Sequence, residues 1–171
     1  MQIIEGSLCS LAPWRFLCDE MLSGLVQWLR VAGYDTSLPT QGAPDRQLVH
    51  QARHEDRWII TADTDLLTFN AAPCYVIYLT EKTEPERLRE LTDRLNLDWY
   101  PAPFSRCKNC NTPLRVASER DLARFSPGVP KTAPQPIMAC ERCRQLFWQG
   151  SHVKRMSQQL EAMNRWRQGV D

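Results

Sequence analysis

Twice in this chain a short apolar run breaks off at an aspartate. Phe16-Leu17-Cys18 ends at Asp19, and Trp58-Ile59-Ile60-Thr61-Ala62 ends at Asp63, with Asp65 two residues further on. A continuous apolar run of this length reads as a strand covered on both faces, which is the habit of a parallel sheet. Helical spacing begins directly after Asp19: Leu22, Leu25, Val26, Leu29 and Ala32 form one stripe, widened by Met21 and Trp28. Gly33 then supplies a left-handed stop, and Arg30 sits in the final turn, where a cation favours the helix dipole. Both acids therefore fall at the carboxyl ends of strands, the edge where open α/β sheets bind ligands.

The rest of the first hundred residues continues the alternation. Tyr34 to Leu38 is a second short strand, Pro39 to Pro44 a turn cluster, and a helix starting at Asp45 turns Leu48, Val49 and Ala52 to one side. Tyr75 to Leu79 is a further strand, and Glu84 to Leu97 a helix with Leu88, Leu91 and Leu95 at helical spacing. Alternating strands and helices with short connections predict an α/β fold, a parallel sheet with flanking helices, over residues 1–100. Residues 1–13 read as an extension that adds an edge strand or covers the sheet. The stretch around Pro101 and Pro103 reads as an extended linker to a second module, 101–171.

That module has a different chemistry. Cys107/Cys110 and Cys140/Cys143 form two C-x-x-C pairs around 29 residues rich in proline, predicted to be mostly loop. Four thiolates on two tight knuckles suit a closed tetrahedral zinc site; disulfides or an iron–sulfur centre are the alternatives. Asn111, just past the first knuckle, tolerates left-handed backbone. Cys9, Cys18 and Cys74 lack such spacing, and Cys18 and Cys74 read as small core hydrophobes. Beyond Gly150, Ser151 is placed to cap a helix with a seam of Val153, Met156, Leu160 and Met163, extended by Trp166 and ended by Gly169. Charge divides along the same boundary: 9 basic against 15 acidic residues in 1–100, then 12 against 5, so −6 is followed by +7. An acidic half suits cations and a basic half a polyanion such as nucleic acid. No apolar run is long enough to span a membrane and no leader pattern opens the chain, so a soluble cytoplasmic protein is expected.

Asp19, Asp45, Asp63 and Asp65 are the candidates to share one site. Carboxylates packed together raise one another's pKa unless a cation neutralises them, and oxygen-only ligands suit magnesium or manganese. Such ions activate water and stabilise the leaving oxygen in phosphodiester cleavage. Asp45 and Asp65 fit equally well as helix caps. Around the ribbon, Arg106, Lys108, Arg142, Arg144, His152, Lys154 and Arg155 suit phosphate, while Phe147 and Trp148 suit either base stacking or a small core. His50 and His54 lie one turn apart and read as solvated helix residues.

These stretches resemble the PIN-like ribonucleases, and within them the Mut-seven C-terminal RNase domain family. The run Phe16 to Leu22 followed by Trp28-Leu29-Arg30, Gly33-Tyr34-Asp35 looks like its opening signature, and Thr61-Ala62-Asp63-Thr64-Asp65-Leu66-Leu67 like the T-x-D-x-D-L motif of PIN domains. Pro103 to Asn111 and Phe147-Trp148 with Gly150-Ser151-His152 look like its zinc-ribbon half. Ala62 departs where a basic residue is common, and Arg144 where glycine is usual. The resemblance implies a PIN-like domain, a small zinc ribbon and a C-terminal helix. It implies a magnesium- or manganese-dependent ribonuclease with Asp19, Asp45, Asp63 and Asp65 as metal-binding acids and structural zinc on the cysteines; in such an enzyme Arg30 is expected to face phosphate. The rival is a non-catalytic RNA-binding module, associated with the ribosome or another ribonucleoprotein. A haloacid-dehalogenase-type phosphatase ranks last, because Leu67 stands where its motif wants threonine or valine.

Overall fold

The computed structural model describes residues 14–68, 76–125 and 129–169. The expected amino-terminal extension, Cys9, Cys74 and Tyr75 lie outside the described residues. Strands β1 (Arg15–Cys18), β2 (Asp35–Ser37), β3 (Trp58–Thr61) and β4 (Val76–Tyr78) form one sheet in the order β2-β1-β3-β4. Every pairing is parallel, with Phe16 opposite both Thr36 and Trp58. Alternate residues separate two cores, because strand side chains point to opposite faces. Phe16, Cys18, Ile60 and Ile77 pack with helices α1 (Ser23–Ala32) and α3 (Glu84–Leu95), whereas Leu17 and Ile59 pack with Leu48, Val49 and Ala52 of α2 (Asp45–His54). The burial of Cys18 pushes its thiol pKa up, which agrees with a small, inert core residue.

Local signals explain the ends of the elements. Helix α1 does not follow Asp19 directly: a 3-10 turn, Glu20–Leu22, intervenes. Gly33 has a φ of 108°, the stop its position predicts. It also gives clearance, since a Cβ there would lie 2.4 Å from the Ala102 carbonyl oxygen. At that close approach the linker is bound to the helix end, Ala102 N–H donating to Ala32 O (3.2 Å) and Phe104 N–H to Val31 O (2.7 Å). The extended linker is thus part of the core: Trp99 is fully buried and its indole N–H donates to Thr92 Oγ1 at 2.7 Å.

The ribbon is an antiparallel sheet of β5 (Arg115–Val116), β6 (Met138–Cys140) and β7 (Gln145–Phe147). Its insert contains a helix, α4 (Glu119–Phe125), where mostly loop was expected. The signal was present: Ser118 and Asp121 cap each other, Ser118 N–H donating to Asp121 Oδ2 (2.7 Å) and Asp121 N–H to Ser118 Oγ (3.3 Å). Helix α5 (Ser151–Trp166) begins one residue earlier than predicted, with Gly150 rather than Ser151 as its N-cap. Leu160 and Met163 are fully buried in the larger core beside α1 and α3, each stabilising by about 2 kcal/mol. The last helix therefore packs on the sheet domain and ties the ribbon to it. Among the described residues no helix is long and apolar enough to cross a membrane.

Candidate functional site

Asp19 and Asp63 leave the carboxyl ends of adjacent strands, β1 and β3. Their link is the threonine that opens the T-x-D-x-D-L motif, to which the sequence alone gives no role. Thr61, fully buried at the last position of β3, donates its hydroxyl to Asp19 Oδ2 (3.0 Å) and accepts the Asp63 N–H (2.9 Å). One side chain thus sets both the carboxylate of one strand and the backbone of the other. Asp19 N–H also donates to Ile60 O at 2.9 Å, and Asp63 Oδ1 accepts the Asp65 N–H at 2.9 Å, starting the turn Asp65–Thr68. Asp19 has the N-cap position of its 3-10 turn but makes no side-chain cap bond. Asp45 is the first residue of α2, and Pro44, not Asp45, is the N-cap. Glu20, inside the opening signature but given no role by it, accepts the Gly42 N–H at 2.7 Å and so fixes the loop that leads to Asp45.

The charges of the other three acids are felt at Asp45. The carboxyl pKa of Asp45 is raised by burial and then by the charges of Asp63, Asp19 and Asp65. Among the described residues, Asp19, Asp45 and Asp63 have no lysine or arginine ion pair. This strand edge carries accumulated negative charge with oxygen donors only, a set that suits a hard divalent cation. It is looser than the cysteine site: among the described residues, the cysteine quartet is the one set of three or more potential ligands within 4.8 Å of one another.

That quartet comprises Cys107, Cys110, Cys140 and Cys143, all free. The Cys110–Cys140 and Cys107–Cys143 sulfurs are 3.4 and 3.9 Å apart. Tetrahedral zinc with Zn–S bonds of about 2.3 Å requires sulfurs about 3.8 Å apart, so the four residues can bind a zinc ion. Matching turns follow the two knuckles: Asn111 has φ 69° and Arg144 φ 55°. Arg144 adopts the left-handed backbone that glycine would take without strain.

Arg30 is not in the crevice, and the phosphate-facing expectation is corrected. It is 5% exposed, donating to Thr36 O (2.8 Å), Lys108 O (3.1 Å) and Asn109 O (2.8 Å). It holds the first knuckle by its carbonyls. Asp35 completes this junction, accepting from Arg57 (2.7 Å) and Asn111 Nδ2 (2.7 Å), with Arg106 at 3.6 Å. Burial alone would raise the Asp35 pKa, but hydrogen bonds from Arg57 and Asn111 and the charges of Arg57 and Arg106 hold it down at about 2. Arg106 is thus committed to the junction. The segment Arg30, Gly33, Tyr34, Asp35 acquires a physical meaning: each residue fastens the second module or its linker, Tyr34 by donating to Asp98 O at 2.6 Å. Lys108 is half-buried, Phe147 and Trp148 are half-buried, and His152, Lys154, Arg155, Arg142 and Arg144 are exposed on the ribbon and α5. His50 and His54 are exposed and stacked 6.5 Å apart.

A parallel sheet with acids at its carboxyl edge, fastened to a ribbon whose four cysteines could bind zinc, defines an α/β protein with an appended ribbon. The chain belongs to the Mut7-C RNAse domain family, whose model matches residues 14–160. It is 28% identical over 116 residues to the human protein named exonuclease mut-7 homolog, a match covering 65% of this chain and 13% of that protein. The chain thus corresponds to a small part of that relative's length. No solved structure matches it. Its kinship is with nucleases.

Proposed function

We propose that the chain is a divalent-metal-dependent ribonuclease that hydrolyses RNA phosphodiester bonds at the Asp19–Asp63 edge. The observation that carries this is the strand edge where Thr61 ties the Asp19 carboxylate to the Asp63 backbone, with no basic partner for Asp19, Asp45 or Asp63 among the described residues. A magnesium or manganese ion there supplies an activated water and neutralises charge at the phosphate. Asp19 and Asp63 would hold it, with Asp45 and Asp65 completing or assisting the set. Thr61 fixes the Asp19 carboxylate, and Glu20 fixes the approach of Asp45. Family membership supports the choice of RNA as substrate. The exposed cations of the ribbon and α5 would contact the RNA backbone, while zinc on the four cysteines would be structural.

The test is cleavage of labelled RNA by the purified protein with and without magnesium or manganese. Asp19→Asn should lower the rate about 10³-fold, several kcal/mol of lost metal assistance, while leaving the melting temperature near the parent's, because the amide oxygen still accepts from Thr61. RNA affinity without cleavage in either metal would instead favour a non-catalytic RNA-binding module.

A further inference from the structure

A cleft of about 490 Å³ opens between the linker, the ribbon and the start of α5, lined in part by Tyr100, Lys108, Phe147, Trp148, His152 and Lys154. It is built from different residues than the acid crevice, and its volume falls within the range of small-ligand sites, about 300–1,000 Å³. Among the described residues no aspartate or glutamate lines it. The side chains of Lys108 and Lys154 make no hydrogen bond or ion pair with the described residues, so their charges are available. Tyr100 is 40% exposed and Trp148 half-buried, so aromatic surface remains uncovered. Helix α5 starts at this wall with no side-chain cap and no acid in its first turn, which adds to the positive potential.

Gly150 shows that the position of Trp148 is specified. Its φ of −86° is open to any residue, so backbone freedom does not require glycine here. What glycine gives is room: a Cβ at this position would lie 3.1 Å from Trp148 Nε1. The Gly150 N–H also donates to Trp148 O at 2.8 Å. Aromatic faces beside unpaired cations, in a wall free of acids, complement a ligand with a flat ring and a phosphate.

We infer that this cleft is a nucleotide-binding subsite that takes one unpaired base of RNA against its aromatic wall and the adjoining phosphate on Lys108 and Lys154. The inference rests on the reading of RNA as substrate and sharpens it: a base already stacked in a duplex cannot enter, so the protein selects single-stranded RNA. The ribbon would then read strandedness while the acid edge performs the chemistry.

The test uses the full zinc-loaded chain in buffer without magnesium or manganese, so that binding is read apart from cleavage. A fluorescein-labelled oligouridylate is titrated with wild type, Lys154→Glu, Gly150→Ala and, as a control on the other side of the sheet, Arg53→Glu. Lys154→Glu and Gly150→Ala should each weaken binding about tenfold, the size of one phosphate contact or one base stack, with a shallower salt dependence for Lys154→Glu alone. Arg53→Glu should bind as wild type, and the same oligonucleotide paired to its complement should compete poorly. Wild-type affinity in both cleft variants, equal competition by duplex, or equal displacement by polyglutamate would overturn the subsite. A chain that binds single strands through the cleft yet cleaves nothing would sink the nuclease reading and leave the subsite standing. Normal cleavage with unaltered binding in the cleft variants does the reverse.

Discussion

Asp35 begins β2 and Asp63 follows β3, strands of one parallel sheet with β1 between them, and the two live in opposite electrostatic worlds. Asp35 lies at the amino end of β2, in register with Arg15, and is surrounded by Arg15, Arg57, Arg106 and Asn111. Its carboxyl pKa is held at about 2. Asp63 follows the carboxyl end of β3, where its charge joins others that push Asp45 the other way. A carboxylate provided with its cations by the chain is a structural joint. Carboxylates gathered without them are, on the proposed reading, the place for a cation from outside.

The comparison can be strained from the structural side first. Cys140→Ala should cost the most, because a small module whose ligands are gathered by metal loses its folding energy with the metal. Zinc content should fall, and amide protection should vanish across the ribbon while β1 and β3, buried under α1, α2 and α3, keep theirs. Equal protection in both regions would show that the ribbon folds without its knuckles. Asp35→Asn comes next, at about 3 kcal/mol, since it leaves the buried Arg57 with a missing partner. The sign of its pH dependence follows from the lowered pKa. The stabilisation is complete above the unfolded carboxyl value of about 3.9 and is lost as pH falls toward about 2. The melting-temperature gap between wild type and Asp35→Asn should therefore narrow below about pH 4.

On the other edge the expected stability effect is smaller and the functional one larger. Thr61→Val removes a buried hydroxyl that serves Asp19 and Asp63 together, at about 1–2 kcal/mol. Cleavage should drop about tenfold as the Asp19 carboxylate loses its fixed partner, and Thr61→Ser should restore it. A loss of stability with unchanged cleavage would place Thr61 with Asp35 as a purely structural residue.

How far the sequence foretold this differs between the two edges. The strands that end at Asp19 and Asp63 were legible because a buried strand is a local apolar run and its end is marked by the first acid. The two C-x-x-C pairs were legible because a knuckle is local too. Arg30 was misread, because a basic residue in a helix's last turn satisfies the dipole rule regardless of what lies above it. Its true partners, the carbonyls of Lys108 and Asn109, come from a segment far along the chain. The same distance hid the junction of Asp35 with Arg106 and Asn111, and the return of α5 onto the sheet. Helix α4 is concealed for a different reason: its Ser118–Asp121 capping pair stands in a segment whose many prolines favour loop.

The central claim, that one edge of the sheet awaits a cation while the other already has its own, is tested most directly by titrating zinc-loaded protein with manganese. Wild type, Asp63→Asn and Asp35→Asn are compared well below their melting temperatures. The account predicts manganese affinity at least about tenfold weaker in Asp63→Asn and unchanged in Asp35→Asn. Equal affinity in wild type and Asp63→Asn, or an equal loss in Asp35→Asn, would contradict it.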